Sequence, residues 1–465
     1  MSEIKEACGV IGLFNNDGLN LAKEMYYGLF ALQHRGQESC GMAVSNNGIV
    51  TSHKDMGLVN EVFDDAKVAK LQGQIGIGHC RYSTTGNSEA KNAQPLTMSF
   101  VHGTLAIAHN GNLANADAIR NELMETKGAI FHSNTDSEIF AYLIAKKEVD
   151  AHLLEAAIRQ ATEMVSGAYA LLVMSPKKLV GIRDPFGLKP LCLGIKGNSY
   201  ILASESCAVE AIGGEVIRDV EPGEMIVIDE KGYTSIPRET RPEKYRPCIF
   251  EYIYFARPDS TIDGQSVYEA RYLAGKILSE RYPVDADVVM PVPDSGIDAA
   301  IGYAAGSGIP YGVGLIKNRY IGRTFIQPDQ VQREESVRIK LNDLKHTVQD
   351  KRVILVDDSM VRGTVSKGII KMLKKAGAKE VHMRITAPPF TWPCFFGVDL
   401  PEKKQLAACK YTIEEIRQNL GADSLGFFKV EDLPRIIPHC KLNGFCDACF
   451  TGDYPVPVTL KEEDC

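Results

Sequence analysis

Two stretches of the sequence place reactive side chains where they could do chemistry. Cys8 follows the polar segment MSEIKEA and precedes the apolar run GVIGLF, whereas Asp357 and Asp358 follow the apolar run VILV and precede the loop SMVRGT. A thiol can act as a nucleophile or as a metal ligand. Paired carboxylates can bind sugar hydroxyls or a Mg²⁺ ion. The elements around each stretch decide which chemistry applies.

Composition limits the class of protein. The chain of 465 residues is long enough for two domains, and its formal net charge of -7 gives no sign of nucleic-acid binding. We see neither a signal peptide nor an apolar run long enough for a membrane helix, so we expect a cytoplasmic protein. Twelve cysteines are many for a reducing compartment. Most should be buried thiols, and some are candidates for a metal site or a nucleophile.

The two halves differ in their patterns. The first half contains short apolar strands between turns, such as GMAVSNNGIVTSHK with a hairpin signal at Asn46-Asn47-Gly48, and it predicts antiparallel sheets covered by helices. The polar stretch 229–247 is the predicted domain boundary. In the second half, helix VYEARYLAGKILSERY leads into ADVVMPVPDSG, helix IDAAIGYAAGSG and the strand-like PYGVGLI, and VILVDDS precedes helix TVSKGIIKMLKKAG. This alternation of strands and helices predicts a parallel α/β sheet.

The pair of acids in the second half lies at the edge where α/β sheets bind ligands. VILV predicts a buried strand, and Asp357 and Asp358 mark its carboxyl end. The loop from Ser359 to Thr364 then leads into a helix, whose free amides and dipole favour a phosphate. A simpler reading is that the two acids only cap the helix. A weaker copy of the pattern, VVMPVPDSG, argues against that reading.

This pattern of apolar strand, two acids and Gly-Thr loop resembles the signature of the type I phosphoribosyltransferases, which bind 5-phosphoribosyl 1-pyrophosphate (PRPP) with Mg²⁺. The resemblance implies that Asp357 and Asp358 bind the ribose hydroxyls. It places the 5-phosphate on the loop, whose proposed contacts are Ser359, Arg362, Gly363 and Thr364. Ser295, in the loop Asp294-Ser295-Gly296, would join the two acids at the metal.

A polar stretch between the two loops resembles the mobile flap of the same family. Its cations Lys317, Arg319 and Arg323 would close over pyrophosphate and exclude water. An ordinary solvated loop is the alternative for these side chains.

Cys8 on its own is most simply a small buried residue. Further stretches change that interpretation: LQHRGQES, GHCRYSTTG, AHNGNL and SNTDSE. Together they resemble the glutamine amidotransferases of the N-terminal-nucleophile class, in which the catalytic cysteine is the first residue of the mature chain. Its own α-amino group, with a reference pKa of about 7.7–8.0, can then act as the base. Residues 1–7 would therefore be a propeptide.

The same resemblance implies roles for residues that surround the nucleophile. Arg81 would bind the α-carboxylate of glutamine and Asp136 its α-ammonium group. The amide of Asn110 and the N–H of Gly111 would form the oxyanion hole. His34 and Arg35 are assigned a structural part near the nucleophile.

The combination of both motif sets resembles the glutamine–PRPP amidotransferase family, in its iron–sulfur-containing branch. The resemblance implies an α-β-β-α sandwich of antiparallel sheets over residues 8–235 and a parallel-sheet α/β domain over 236–465. It implies that ammonia from glutamine passes to PRPP and gives 5-phospho-β-D-ribosylamine, glutamate and pyrophosphate, which is the first step of purine biosynthesis. It also implies one Mg²⁺ per subunit, a homo-oligomer (tetramer or dimer) and feedback inhibition by purine nucleotides.

The remaining cysteines offer a second metal site. Cys446 and Cys449 form a C-x-x-C element. The family branch carries one [4Fe–4S] cluster per subunit, and its ligands match Cys248, Cys394, Cys446 and Cys449. Spacing alone leaves two alternatives open, a local zinc site that would add His439 and Cys440 to the C-x-x-C pair, and a set of free thiols.

Other functions fit less well. A sugar-phosphate aminotransferase or an asparagine synthetase would need a different second half, because VILVDDSMVRGT fits neither. A non-catalytic regulator on a decayed scaffold should have lost a reactive residue, yet Cys8, Arg81, Asp136, Asp357 and Asp358 are all present.

Overall fold

The computed structural model describes residues 8–82, 88–100, 103–151, 153–318 and 341–459. The predicted propeptide and the flap residues Arg319 and Arg323 lie outside these ranges. No helix in the described ranges is both long and apolar enough to cross a bilayer.

The first domain is built on two antiparallel sheets. Its strands, in chain order, are β1 (Gly9–Asn15), β2 (Ser39–Asn46), β3 (Ile49–Met56), β4 (Ile75–Arg81), β5 (Leu96–Phe100), β6 (Gly103–Leu113), β7 (Gly167–Met174), β8 (Leu179–Arg183), β9 (Cys192–Lys196), β10 (Ser199–Ala203), β11 (Glu215–Asp219), β12 (Met225–Asp229) and β13 (Gly232–Ile236). One sheet has the order β11-β9-β10-β1-β4-β2-β3, and the other has the order β13-β12-β8-β7-β6-β5.

Helices cover the outer face of each sheet. Their bounds are Ala22–Ala31, Val59–Val62, Asp65–Lys70, the 3-10 turn Ala90–Asn92, Ala116–Lys127, Ser137–Ala151, Leu154–Met164 and Ser206–Ala211. Strand β1 shows how the layers form. Ile11 and Leu13 pack with the helix Ala22–Ala31, while Val10 and Phe14 pack against the second sheet. This alternation gives the α-β-β-α sandwich, and the expected fold of the first domain is confirmed.

The predicted hairpin is also confirmed. Asn46 pairs with Ile49 across the turn, and Asn47 and Gly48 have φ angles of 49° and 89°. Such positive angles favour Asn-Gly at a two-residue turn.

The second domain contains a parallel sheet of four strands in the order β16-β19-β20-β21. The strands of the whole domain are β14 (Thr261–Ile262), β15 (Gln265–Ser266), β16 (Val288–Pro291), β17 (Leu315–Lys317), β18 (Leu341–Asp343), β19 (Arg352–Asp357), β20 (Glu380–Ile385) and β21 (Ser424–Phe427). The pairs β14-β15 and β17-β18 form separate two-stranded sheets. Its helices are the π-helix Glu251–Phe255, Val267–Arg281, Ile297–Ser307, Lys345–Val348, Thr364–Lys375, the 3-10 turn Lys403–Gln405, Ala407–Lys410, Ile413–Leu420, the 3-10 helix Val430–Ile436 and Ala448–Thr451. The predicted parallel α/β fold is confirmed.

One expected strand is shorter than predicted. PYGVGLI forms only a bridge at Tyr311 and then β17, which pairs antiparallel with β18 outside the parallel sheet. Two glycines explain the interruption. A Cβ atom would lie 2.7 Å from the Val288 side chain at Gly312 and 2.5 Å from Met290 at Gly314. The segment therefore packs closely on β16 rather than extending the sheet.

Candidate active sites

Cys8 directly precedes β1, and the sheet decides what surrounds its thiol. Gly9 pairs with Cys80, so the end of β4 lies beside Cys8. The thiol donates a hydrogen bond to the Tyr82 carbonyl at 3.4 Å, and the residue is 6% exposed. Burial raises the pKa of this thiol, although the Tyr82 hydrogen bond and the charge of Arg81 act in the opposite direction. The thiol is therefore protonated at neutral pH and needs a base to become a nucleophile.

Arg35 fixes the backbone of Cys8. Its Nε donates to the Cys8 carbonyl at 3.0 Å, and its two terminal nitrogens donate to Glu251 at 3.0 and 2.7 Å. The same guanidinium forms an ion pair with Glu205. Burial alone would lower the pKa of Arg35, but Glu251 and Glu205 raise it. Because Glu251 belongs to the second domain, this one side chain joins the nucleophile strand to the other half of the molecule.

Glu205 gathers further donors at the same junction. It accepts hydrogen bonds from His34 at 2.7 Å, from the Arg257 N–H at 2.9 Å and from the Ser260 hydroxyl at 2.7 Å. Burial opposes its ionisation, yet His34 and Arg35 hold the pKa of Glu205 well below its usual range. Arg35 thus contacts Cys8 directly, and His34 contacts Glu205, which also binds Arg35. The structural part of His34 and Arg35 near the nucleophile stays a prediction.

Asp136 lies buried at the start of the helix Ser137–Ala151. It accepts a hydrogen bond from the Leu113 N–H at 2.9 Å, and His109 Nδ1 lies 3.7 Å from its carboxylate. Burial alone would raise the pKa of Asp136, but His109 and the N–H groups of Leu113 and Ser137 lower it. The carboxylate is therefore ionised. Its charge raises the pKa of the Cys8 thiol, whereas the charge of Arg81 lowers it.

Asn110 and Gly111 occupy the end of β6. The Asn110 side chain is 0% exposed, yet neither its amide nitrogen nor its oxygen has a hydrogen-bond partner among the described residues. Buried polar groups are almost always paired, so the unpaired amide of Asn110 is available to bind a substrate group. Gly111 has φ 148°, and a Cβ there would lie 2.0 Å from the Ala168 carbonyl oxygen. No other residue fits this backbone without a shift of the neighbouring strand.

The second cluster of predicted residues lies at the carboxyl end of β19. Asp358 accepts a hydrogen bond from the Ser295 hydroxyl at 2.5 Å and another from the Ser359 hydroxyl. Burial, followed by the negative charge of Asp358, raises the pKa of Asp357 well above its usual range. The structure thus brings Ser295, Asp357, Asp358 and Ser359 together, as β16 and β19 are parallel neighbours.

The loop that follows begins the helix Thr364–Lys375. Gly363 precedes the helix with φ 78°, a left-handed conformation that glycine adopts freely. Arg362 is exposed, and its guanidinium donates to Gln405 at 2.5 Å. Lys317 at the end of β17 pairs with Asp294 at 2.6 Å, in the loop that also contains Ser295. Lys317 therefore lies beside the loop of Ser295, whereas the guanidinium of Arg362 contacts Gln405.

The four cysteines of the predicted cluster site lie near one another. Cys248 and Cys446 form a β-bridge, in which the Cys446 N–H donates to the Pro247 carbonyl at 2.8 Å. The N–H groups of Thr391 and Trp392 each donate to the Cys449 carbonyl at 3.1 Å. Burial raises the pKa of all four thiols, and for Cys248 the value is about 12.

The four thiols are close enough for the ionised form of one to raise the pKa of another. Cys394 acts on Cys248, and both of them act on Cys446 and Cys449. His439 and Cys440 have other neighbours, since the His439 ring lies 3.5 Å from Glu269 and Cys440 contacts the Tyr252 hydroxyl. Over the described ranges, no three His, Cys, Asp or Glu side chains are spaced as a metal-ion site. The local zinc alternative therefore receives no support from this geometry.

Three charged residues at these sites were missed from the sequence. Glu205 and Glu251 bind Arg35, and Lys189 acts electrostatically on Cys8. Each lies in an otherwise apolar stretch, ILASESCAV, CIFEYIYF or FGLKPLCL. A charge inside an apolar run indicates a buried partner, and that signal could have identified Glu205 and Glu251.

Comparison with known proteins agrees with this division into two sites. The family described as glutamine amidotransferase domain matches residues 79–211, and the phosphoribosyl transferase domain family matches residues 262–387. The chain is 47% identical to the amidophosphoribosyltransferase of Methanocaldococcus jannaschii, covering 98% of this chain and 99% of the relative. It is 48% identical to that of Archaeoglobus fulgidus, covering 98% of this chain and 100% of the relative.

Solved structures are similar over the whole length. The glutamine PRPP amidotransferase of Bacillus subtilis, complexed with ADP and GMP, is 45% identical with a TM-score of 0.89, covering 97% of this chain and 98% of that one. A structure described as the allosteric regulatory enzyme of purine biosynthesis has a TM-score of 0.91 at 45% identity, covering 98% of both chains.

The junction around Arg35 generates a stability prediction. Glu251→Gln should destabilise the protein by about 3 kcal/mol, because it leaves a buried guanidinium only partly compensated. Calorimetry should show a lower midpoint of thermal unfolding. Glu414→Gln is the matched control, since it removes the exposed partner of Arg417 and should leave the midpoint unchanged. Equal midpoints for the two variants would contradict the importance of the buried pair.

Proposed function

Because the chain belongs to the amidophosphoribosyltransferase family, we propose that its two candidate sites divide the reaction of these enzymes. Amidophosphoribosyltransferases are glutamine amidotransferases and pentosyltransferases, and they act at the first step of purine biosynthesis. The proposal concerns which residues perform each part. We place the glutaminase in residues 8–235 and the phosphoribosyl transfer in residues 236–465.

In the first site, the Cys8 sulfur attacks the carboxamide carbon of glutamine. The α-amino group of Cys8, freed by removal of residues 1–7, takes the thiol proton and passes it to the leaving ammonia. Water then hydrolyses the thioester to glutamate. Arg81 binds the α-carboxylate of glutamine, and the ionised Asp136 binds its α-ammonium group.

The unpaired amide of Asn110 is the observation that carries this proposal. A buried amide without a partner is costly, but it can donate to the oxyanion of the tetrahedral intermediate without first breaking another bond. The N–H of Gly111 supplies the second donor. These donors are fixed in β6 before the substrate binds, which is the arrangement that favours the transition state.

In the second site, ammonia attacks C1 of PRPP and displaces pyrophosphate. Positive charge develops on the ribose ring, and Asp357 and Asp358 stabilise it while they bind the ribose hydroxyls. Ser359, Arg362, Gly363 and Thr364 hold the 5-phosphate at the start of the helix. Lys317 approaches the pyrophosphate from the rim, where it now pairs with Asp294.

Mg²⁺ fits the donors of the second site. Ser295, Asp357 and Asp358 offer hard oxygen ligands, and burial together with the charge of Asp358 raises the pKa of Asp357, so a bound cation would favour its ionised form. When bound with PRPP, the ion neutralises charge on the pyrophosphate leaving group. One ion per subunit is proposed.

A [4Fe–4S] cluster fits the four buried thiols Cys248, Cys394, Cys446 and Cys449. Burial, and then the charge of the other cysteines, raises the pKa of these thiols, so bound cations would favour their thiolate forms. A cluster takes one thiolate on each iron, so its ligands are farther apart than those of a single metal ion. The four thiols are therefore compatible with a cluster although, among the described residues, no group of side chains has the spacing of a single metal ion's ligands. The cluster supplies a structural crosslink, one per subunit.

The remaining parts of the proposal concern regulation and context. The Bacillus subtilis relative is complexed with ADP and GMP, which supports binding of purine nucleotides as inhibitors here. We further propose that the enzyme acts as a homo-oligomer, a tetramer or a dimer, in the cytoplasm.

The assignment of Cys8 predicts a separation of two activities. Cys8→Ser should abolish glutamine-dependent release of pyrophosphate, while ammonia-dependent synthesis is retained because the second site is separate. Glutamate and pyrophosphate are measured with and without PRPP and Mg²⁺, and the wild type should release them in equal amounts. Cys40→Ser, which changes a buried thiol with no proposed role in the reaction, is the control. Loss of both activities in Cys8→Ser would contradict the assignment.

The acids at β19 predict loss of both reactions. Asp357→Asn and Asp358→Asn should each lower glutamine- and ammonia-dependent rates about hundredfold, because both need charge stabilisation on the ribose. Asp350→Asn is the matched control, as Asp350 is exposed and its φ of 60° suits asparagine equally well. A normal ammonia-dependent rate in either active-site variant would remove that acid from the site.

The cluster assignment predicts about four irons per chain and a brown protein. Cys394→Ser should lower the iron content measured by elemental analysis. Cys409→Ser, which changes an exposed thiol, should leave it unchanged. One zinc per chain in the wild type would overturn the assignment.

A further inference from the structure

Lys189 is a buried cation that the reaction as described does not use. Its side chain is only 1% exposed, and in the described ranges its ammonium group makes no ion pair or hydrogen bond. The nearest aromatic ring is that of Phe255, 5.9 Å from the nitrogen. The backbone is held firmly, because the Lys189 N–H donates to Asp184 at 3.0 Å and its carbonyl accepts from Arg183 at 2.8 Å.

A buried ammonium without a carboxylate is costly, so its surroundings should contain other groups that become negative. The groups on which Lys189 acts most clearly are thiols. Its positive charge favours ionisation of Cys8, and it does the same for Cys248 and Cys394.

Residues 395–397 pack against Lys189 and the end of β6. The Asn112 side chain donates to the Phe395 carbonyl at 2.8 Å. Gly397 has φ 99°, and a Cβ there would lie 3.2 Å from the Lys189 nitrogen and 3.5 Å from the carbonyl carbon of Gly111. Lys189 is thus packed beside the strand that presents the oxyanion donors, with no room for a larger residue at position 397.

We propose that Lys189 is a positioning residue of the glutaminase site, whose buried ammonium stabilises the thiolate of Cys8. The proton leaves the thiol for the α-amino group, and the sulfur retains the electron pair with which it attacks glutamine. Two other charges face the same sulfur: Arg81 assists Lys189, and Asp136 opposes it. Because Lys189 is only 1% exposed, solvent screens the effect of its ammonium group little.

The test is the pH dependence of Cys8 alkylation by iodoacetamide in the full-length, processed protein, with modification followed by peptide mass spectrometry. Lys189→Met should shift the profile by about one pH unit towards alkaline pH. Lys189→Arg should restore the wild-type profile, because the charge is retained. Cys409, which is exposed in the same chain, is an internal control whose profile should not move.

Controls separate the electrostatic role from a structural one. Lys196→Met removes a lysine of the same domain that pairs with Glu24, and it should leave the Cys8 profile unchanged. Ammonia-dependent synthesis reports whether Lys189→Met is folded, and Lys189→Gln, which keeps a polar tip, replaces it if it is not. An unchanged Cys8 profile in a folded neutral variant overturns the proposal.

This inference rests on the proposed role of Cys8, and the experiment distinguishes the two. If alkylation of Cys8 leaves glutamine-dependent activity intact, the nucleophile has been assigned wrongly. If alkylation abolishes that activity but the profiles of wild type and Lys189→Met coincide, only the role of Lys189 fails.

Discussion

The buried guanidinium of Arg35 is the constraint on which both halves of the molecule depend. A charge removed from water must be matched by opposite charge and by hydrogen bonds. Arg35 meets this requirement with Glu205 from the first domain and Glu251 from the second, and its Nε donates to the Cys8 carbonyl. The position of the nucleophile is therefore set by an interaction that exists only when the two domains are packed together.

A second buried pair acts on the same connection. Arg183 at the end of β8 binds both carboxylate oxygens of Asp263, at 2.7 and 2.8 Å, and Asp263 lies in the turn between β14 and β15. The chain between Glu251 and Asp263 is thus attached to the first domain at both ends. Because bidentate pairs fix orientation as well as distance, this segment acts as a rigid spacer between the glutaminase and the phosphoribosyl-transfer site.

Local signals in the sequence were sufficient for the elements but not for the junctions. The Asn47-Gly48 hairpin and the strand before Asp357 follow from patterns within a few residues. By contrast, Arg35 and Glu251 are far apart in the chain, and nothing in the pattern around Arg35 indicates which carboxylate it meets. The prediction of a continuous strand over PYGVGLI was wrong for a related reason. The close packing of Gly312 and Gly314 depends on side chains of β16, which the local pattern does not reveal. Long-range contacts of this kind are specified by the fold as a whole.

The C-terminal residues contact both domains. Tyr454 and Val456 pack with Phe186 and Leu188, which belong to the glutaminase half, and Cys446 lies in the same apolar cluster. The nearby carbonyl of Phe395 accepts a hydrogen bond from the side chain of Asn112, which is two residues beyond Asn110. The parallel sheet with Asp357 is held by its own core. Cys248, Cys394 and Cys449 pack against that core, whereas Cys446 and Cys394 also join the apolar cluster shared with the first domain. The four thiols therefore lie where the core under the parallel sheet meets the boundary of the first domain.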